Sequence, residues 1–133
     1  MKGIIIGKIK ETHSKHYYEK DRNTGVIDTC ESQYPETAAE FKKIQAEQYE
    51  LFCRKQMDYG PNNIALGRDL TIHDNKLFSH QGLWFRMNDK ISRIQNLLWN
   101  KKKEYNESLE DSWIDLANYS VIALIVNREK WGK

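Results

Sequence analysis

Oxygen-bearing side chains recur on one face of the last helical segment of this 133-residue chain. Glu104, Glu107, Asp111, Asp115 and Asn118 follow one another at steps of three, four, four and three, which stack side chains along one side of an α-helix. Carboxylates so placed repel one another unless a cation lies between them, and a hard cation such as Mg²⁺ takes oxygen ligands. Glu104 and Glu107 also suit an ordinary acidic helix start, where they complement the macrodipole. Asp115 and Asn118 differ, because both fall inside WIDLANYSVIALIV, among core-forming residues. An unpaired buried carboxylate is costly there. A metal, a Lys or Arg from the preceding helix, or a hydrogen-bond network must compensate Asp115.

A second constellation is cationic. Arg86, Asp89, Lys90 and Arg93 lie along one side of the preceding helical segment. They read either as a surface ion pair between Asp89 and Arg93, worth under about 1 kcal/mol, or as a phosphate clamp, since guanidinium forks and ammonium groups match phosphoryl oxygens. Lys55, in KQMDYGPNN, continues the stripe of Phe41, Ile44 and Leu51, so its charged end is expected to point inward. Tyr59 and Asn63 in the same stretch suit either a helix stop or a ligand contact. The Glu47 and Glu50 pair has a metal-helix spacing, but Glu40, Lys43 and Arg54 beside it make a mixed-charge, solvated face. His13, His16, His73 and His80 show no paired spacing, and no glycine-rich phosphate loop, GxSxG elbow or zinc-finger pattern occurs.

The elements that must position these residues are helical. From Pro35 the apolar period is that of a helix of about 20 residues, with Thr37 and Glu40 as a capping box, ending at Asp58 to Pro61. Residues 59–82 read as a loop with one short helical turn. A second helix is predicted over Leu83 to Trp99 and a third over roughly Ser108 to Arg128, the latter apolar nearly all round from Trp113 to Val126. Such a helix belongs at the centre of a bundle or in an oligomer interface. The fold expected is all-α, an antiparallel helical bundle over residues 36–133. Residues 1–35 read as an N-terminal arm, with short strands at Ile4 to Ile6, Tyr17 to Tyr18 and Val26 to Ile27 and a loose hairpin turn over Asp21 to Ile27.

Bulk properties narrow the classes. The 21 Lys plus Arg nearly balance 19 Asp plus Glu, and a formal charge of +2 does not call for a nucleic-acid partner. Cys30 and Cys53 lie outside any metal-knuckle spacing and fit free thiols in a reducing compartment. The isoleucine run near the start is too short for a signal peptide or a membrane span. A soluble, cytoplasmic protein with no membrane partner is expected.

In order, K55xxDYG60, R86xxDKxxR93xxNL97 and E107xxxD111xxxD115LANY119 resemble the nucleotide modification associated domain 1 family, found largely in phages and bacteria, over about residues 40 to 128. That family is similar in helical layout to the all-α nucleoside triphosphate pyrophosphatases, the MazG and dimeric dUTPase-like group. The resemblance implies a Mg²⁺-dependent (or Mn²⁺-dependent) pyrophosphohydrolase acting on a nucleotide or deoxynucleotide, in the host cytoplasm if phage-encoded. Asp111 and Asp115, with Asp89 and Glu107, would bind the metal. Asp111, Asp115 and Lys55 would be catalytic. Arg86, Lys90 and Arg93 would hold phosphates, while Tyr59, Asn63 and Asn118 position base or sugar. The chain departs from the pyrophosphatases where Asp89, Lys90 and Arg93 stand in place of several glutamates. That departure favours a non-catalytic, sequestering nucleotide binder as the alternative. A third alternative is an oligomeric interaction protein, and a homodimer or higher homo-oligomer is expected in every case.

Overall fold

The computed structural model describes residues 24–133. They form five helices, and among the described residues no strand occurs: α1 (Thr24–Gln33), α2 (Pro35–Tyr59), α3 (Asn62–Ala65), α4 (His73–Trp99) and α5 (Leu109–Asn127). None of these helices is long and apolar enough to cross a membrane. The chain divides into two compact units, Met1–Gln45 and Ala46–Lys133.

In the first unit, α1 replaces the strand expected at Val26 to Ile27 and the hairpin turn expected to end there. Two β-branched residues without a partner strand cannot form a ladder, whereas helical hydrogen bonds are satisfied locally. Thr29 adds a local bond, its Oγ1 donating to the Gly25 carbonyl at 2.7 Å. The helical ladder runs through the junction with α2: Tyr34 N donates to Cys30 O at 2.8 Å and Ala38 N to Tyr34 O at 3.0 Å. Pro35 has no N–H to contribute, so it interrupts this ladder while suiting the first position of α2. Thr37 therefore lies inside the first turn and does not cap it. Glu31 and Lys42 pair across the break. The strands expected at Ile4 to Ile6 and Tyr17 to Tyr18 lie outside the described residues.

The second unit is organised by an antiparallel hairpin of α4 and α5. Arg93 meets Ser108 and Ser112, Lys90 meets Asp115, and Lys76 meets Glu129, so that descending positions on α4 pair with ascending ones on and after α5. Ser108 starts α5 with a capping box: its Oγ accepts from Asp111 N at 3.1 Å, and Asp111 Oδ2 accepts from Ser108 N at 2.9 Å. Helix α4 begins at His73, well before the expected Leu83. Its polar first half is carried into the helix by burial of Ser79 and Leu83, and Gly82 sits in open space within it. Tertiary packing here overrides weak local propensity.

The core joins Leu83, Ile122 and Val126 of the hairpin to Ile64 and Ala65 of α3 and to Trp131 beyond α5. Three side chains pin the α3 segment by its backbone: the Trp131 indole N–H donates to Pro61 O at 2.9 Å, Ser79 Oγ to Ile64 O at 2.8 Å, and Arg86 Nη2 to Asn63 O at 2.8 Å. After α3 the chain turns through Leu66 and Gly67, both at positive φ. Gly132, at φ +74°, passes so close to Pro61 that a Cβ would come within 3.1 Å of its ring. Replacing Trp131 with alanine is expected to cost roughly 3–5 kcal/mol, since it empties a buried site and frees the Pro61 carbonyl; urea unfolding followed by tryptophan-independent circular dichroism measures it.

Candidate functional site

The core-facing stripe of α5 runs Ser112, Asp115, Asn118, Ile122, Val126, so the helix that builds the core also drives a carboxylate into it. Asp115 is only 8% exposed. Its compensation comes from two lysines, one to each oxygen: Lys55 Nζ of α2 lies 2.6 Å from Oδ1, and Lys90 Nζ of α4 lies 2.8 Å from Oδ2. Lys55 thus points inward as its register on α2 implied. Burial opposes ionisation of Asp115, but the hydrogen bonds and charges of Lys55 and Lys90 outweigh it and hold the carboxyl below the usual carboxylate range. Burial likewise disfavours the Lys90 ammonium, yet the bond to Asp115 and its charge, with smaller help from Glu107 and Tyr119, raise it above the usual lysine value.

Beside this pair lies a cavity of about 100 Å³. Lys55, Arg86, Asp115, Asn118 and Asn63 supply its polar wall; Phe52, Tyr59, Tyr119 and Trp131 supply aromatic faces. Asn118 is buried and donates from Nδ2 to the Gln48 carbonyl at 3.3 Å, which ties α5 to the second half of α2. Tyr59 is largely exposed where it borders the cavity. A larger recess of about 350 Å³ lies across Pro61 and Trp131, bordered by Asp69, Thr71 and Glu129. It gathers none of the residues singled out by chemistry in the sequence and shares only Trp131 with the smaller cavity, so the smaller cavity is the candidate site.

The remaining sequence-predicted residues go elsewhere. Arg93 binds the Glu107 and Ser108 carbonyls and the Ser112 hydroxyl, clamping the start of α5 instead of facing the cavity. Asp111 serves the capping box and also accepts from Ser108 Oγ at 2.8 Å. Glu107 reaches Lys90 at 3.5 Å, and Asp89 is exposed. Glu50 is taken by Arg54, one turn on along α2. Asp89, Glu107, Asp111 and Asp115 are therefore not gathered into one oxygen cage, and among the described residues no three His, Cys, Asp or Glu side chains are grouped to hold a metal ion. As placed, this donor set does not fit an octahedral Mg²⁺, whose ligands must converge.

Several contributors to the cavity were not singled out from the sequence. Trp131 stands alone after a helix end, and nothing in its neighbours reveals that it folds back on Pro61. Tyr119 carried a signal, since it lies four residues beyond Asp115 on the same helix.

The ion pair predicts a pH profile. Asp115 has a depressed folded pKa, so its contribution is present above the unfolded value near ~4 and is lost as pH falls through the folded value. Lys90 has a raised folded pKa, so its contribution is present below ~10.4 and is lost as pH rises through the folded value. Asp115→Asn should lower stability at neutral pH by roughly 1–3 kcal/mol and flatten the acid limb in urea midpoints recorded from pH 2.5 to 7. An unchanged acid limb would contradict the assignment.

Comparison with known proteins finds no matching curated protein and no matching solved structure. A family does match, over the α4–α5 hairpin that carries Arg86, Lys90, Arg93 and Asp115; Lys55, Tyr59 and Asn63 lie before the matched stretch. Residues 80–126 match the model of the family described as nucleotide modification associated domain 1.

Proposed function

We propose that the second unit binds the phosphate groups of a nucleotide or deoxynucleotide at the cavity beside Asp115, by cationic side chains and without a protein-built metal cage. One observation carries this reading: Lys55 and Lys90 converge on a single buried oxyanion, and Lys55 shares the cavity wall with Arg86. Each ammonium has three donors, and Asp115 takes one from each. The donors left over on Lys55, with those of Arg86, border an aromatic-lined space whose chemistry suits a phosphate. Asp115 acts as a positioning residue, holding two mutually repelling cations together until a phosphate arrives. The family match supports a nucleotide as the source of that phosphate.

The α4–α5 hairpin, with the second half of α2 alongside, supports a bundle of the kind seen in the all-α pyrophosphatases. Hydrolysis as expected from the sequence needs carboxylates that are here engaged in a helix cap and in ion pairs, so binding is the activity these side chains support. Calorimetric titration with tripolyphosphate and with common (d)NTPs is expected to give binding that persists in excess chelator and weakens with salt. Lys55→Met and Arg86→Met should each reduce affinity by about tenfold or more, the worth of one charge-assisted bond. Turnover that requires Mg²⁺ or Mn²⁺ and vanishes in Asp115→Asn would replace this reading with the hydrolytic one.

We also propose that this unit self-associates. Trp84, Ile91 and Leu98 on α4, and Trp113, Val121 and Leu124 on α5, are all about half exposed or more. An apolar surface of that kind marks an association site. Light scattering should return a homodimer or larger, and Trp113→Glu with Leu124→Glu should return a monomer.

A further inference from the structure

We infer that a recess on α4 takes the ring of the bound nucleotide: the base lies over the bare backbone at Gly82, against Phe78 and Phe85, while its phosphates reach Arg86. The recess, of about 180 Å³, is walled mainly by Leu66, Phe78, Leu83 and Phe85. Gly82 lies well inside α4, where glycine weakens a helix relative to alanine. Neither structural reason for a glycine holds there. Its φ lies outside the left-handed region, and a Cβ added to it would meet nothing within 4 Å. Phe78, Gly82 and Phe85 follow at steps of four and three and so share one helical face. The missing side chain thus gains the fold of the described residues nothing, but leaves helical backbone bare with an exposed aromatic residue one turn to either side.

The neighbours of the recess identify its occupant. Arg86 borders both this recess and the cavity beside Asp115. Only one of its five donors is committed, to the Asn63 carbonyl. An anionic ligand held by Arg86 therefore has an apolar, aromatic-walled notch beside it on α4. A flat ring suits that notch, because it lies close to a helix backbone only where no side chain intervenes and it stacks on phenylalanine faces. Arg68 packs over Phe78, 4.2 Å from the ring centroid, and steadies that wall. A second copy of the chain is the competing occupant. The exposed stripe of Trp84, Ile91 and Leu98 is offset from Phe78, Gly82 and Phe85 by one residue, about 100° around the helix, so the recess lies off the face offered for self-association.

This inference rests on the phosphate-binding reading, and calorimetric titration with tripolyphosphate, ATP, GTP, CTP and dTTP separates the two. Gly82→Leu, which fills the notch, and Phe85→Ala, which removes an exposed wall, should each weaken the nucleotides that bind by about tenfold or more, the worth of one aromatic–base contact. Both should leave tripolyphosphate affinity unchanged. Gly82→Ala should raise the urea midpoint, as expected of a helical glycine with no conformational role; a lowered midpoint would show that the fold itself needs the glycine and would overturn the inference. No binding of any probe overturns the phosphate reading and this inference with it. Tripolyphosphate binding without nucleotide binding, or with nucleotide affinities that neither Gly82→Leu nor Phe85→Ala changes, overturns the recess assignment alone. Equal loss of tripolyphosphate affinity in both variants would show a structural role and overturn it too. A Gly82→Leu protein of altered mass in light scattering, with nucleotide affinity intact, would give the recess to a contact between copies instead. Should Gly82→Leu not fold, Phe85→Ala decides the comparison.

Discussion

A carboxylate inside an apolar helix is the constraint from which the second unit follows. Asp115 cannot be buried as a lone charge, and its two oxygens are met by lysines from two different helices. The ion pairs therefore set the register of α2 and α4 against α5 at one point. Lys90 reaches it from mid-helix on α4 with its side chain mostly covered, whereas Lys55 comes from α2 with nearly half its side chain in solvent. The two contacts are unequal for that reason. Solvent screens the Lys55 bond and leaves it the more adjustable of the two.

That inequality bears on how the site works. The covered lysine holds Asp115 from within the hairpin, and the exposed one borders the cavity with part of its side chain still in solvent. Arg86 and Arg93 divide differently: the first stays on the cavity wall, bound to one backbone carbonyl, while the second is fully engaged at the α5 start. Of four cations in the sequence pattern, Arg93 secures the helix start and Lys90 is engaged by Asp115 and Glu107, while Lys55 and Arg86 border the cavity. The helix start and the cavity wall thus draw on the same row of residues, which is why their shared spacing did not separate them.

What was legible in the sequence follows from which interactions are local. The third helix, its start at Ser108 and the need to compensate Asp115 could be read from period, cap residues and burial logic, all of which act within a few residues. The inward direction of Lys55 was legible from register. The extension of α4 back to His73 was not, because HDNKLFSHQG is weakly helical by itself and becomes helical by burying Ser79 and Leu83 against other elements. Helix α1 was hidden by Val26 and Ile27, whose β-branching signals strand only when a partner strand exists. Asp111 was read as a ligand because a capping carboxylate and a metal-binding one share residue type and face; only the Ser108 contacts distinguish them. The placement of Trp131 depends on contacts across most of the unit, beyond the reach of any local pattern.

The indole of Trp131 and the carbonyl of Pro61 are separated by 70 residues along the chain, and Lys55 and Asp115 by 60. Closing loops of that length costs entropy before any contact offsets it. The cavity is therefore not a local feature that could assemble on part of the unit. Its Trp131 wall exists only once the segment after α5 has folded back across α3, so the cavity is completed by contacts far apart in sequence. A chain opened at its tail would lose that wall even with every helix already wound.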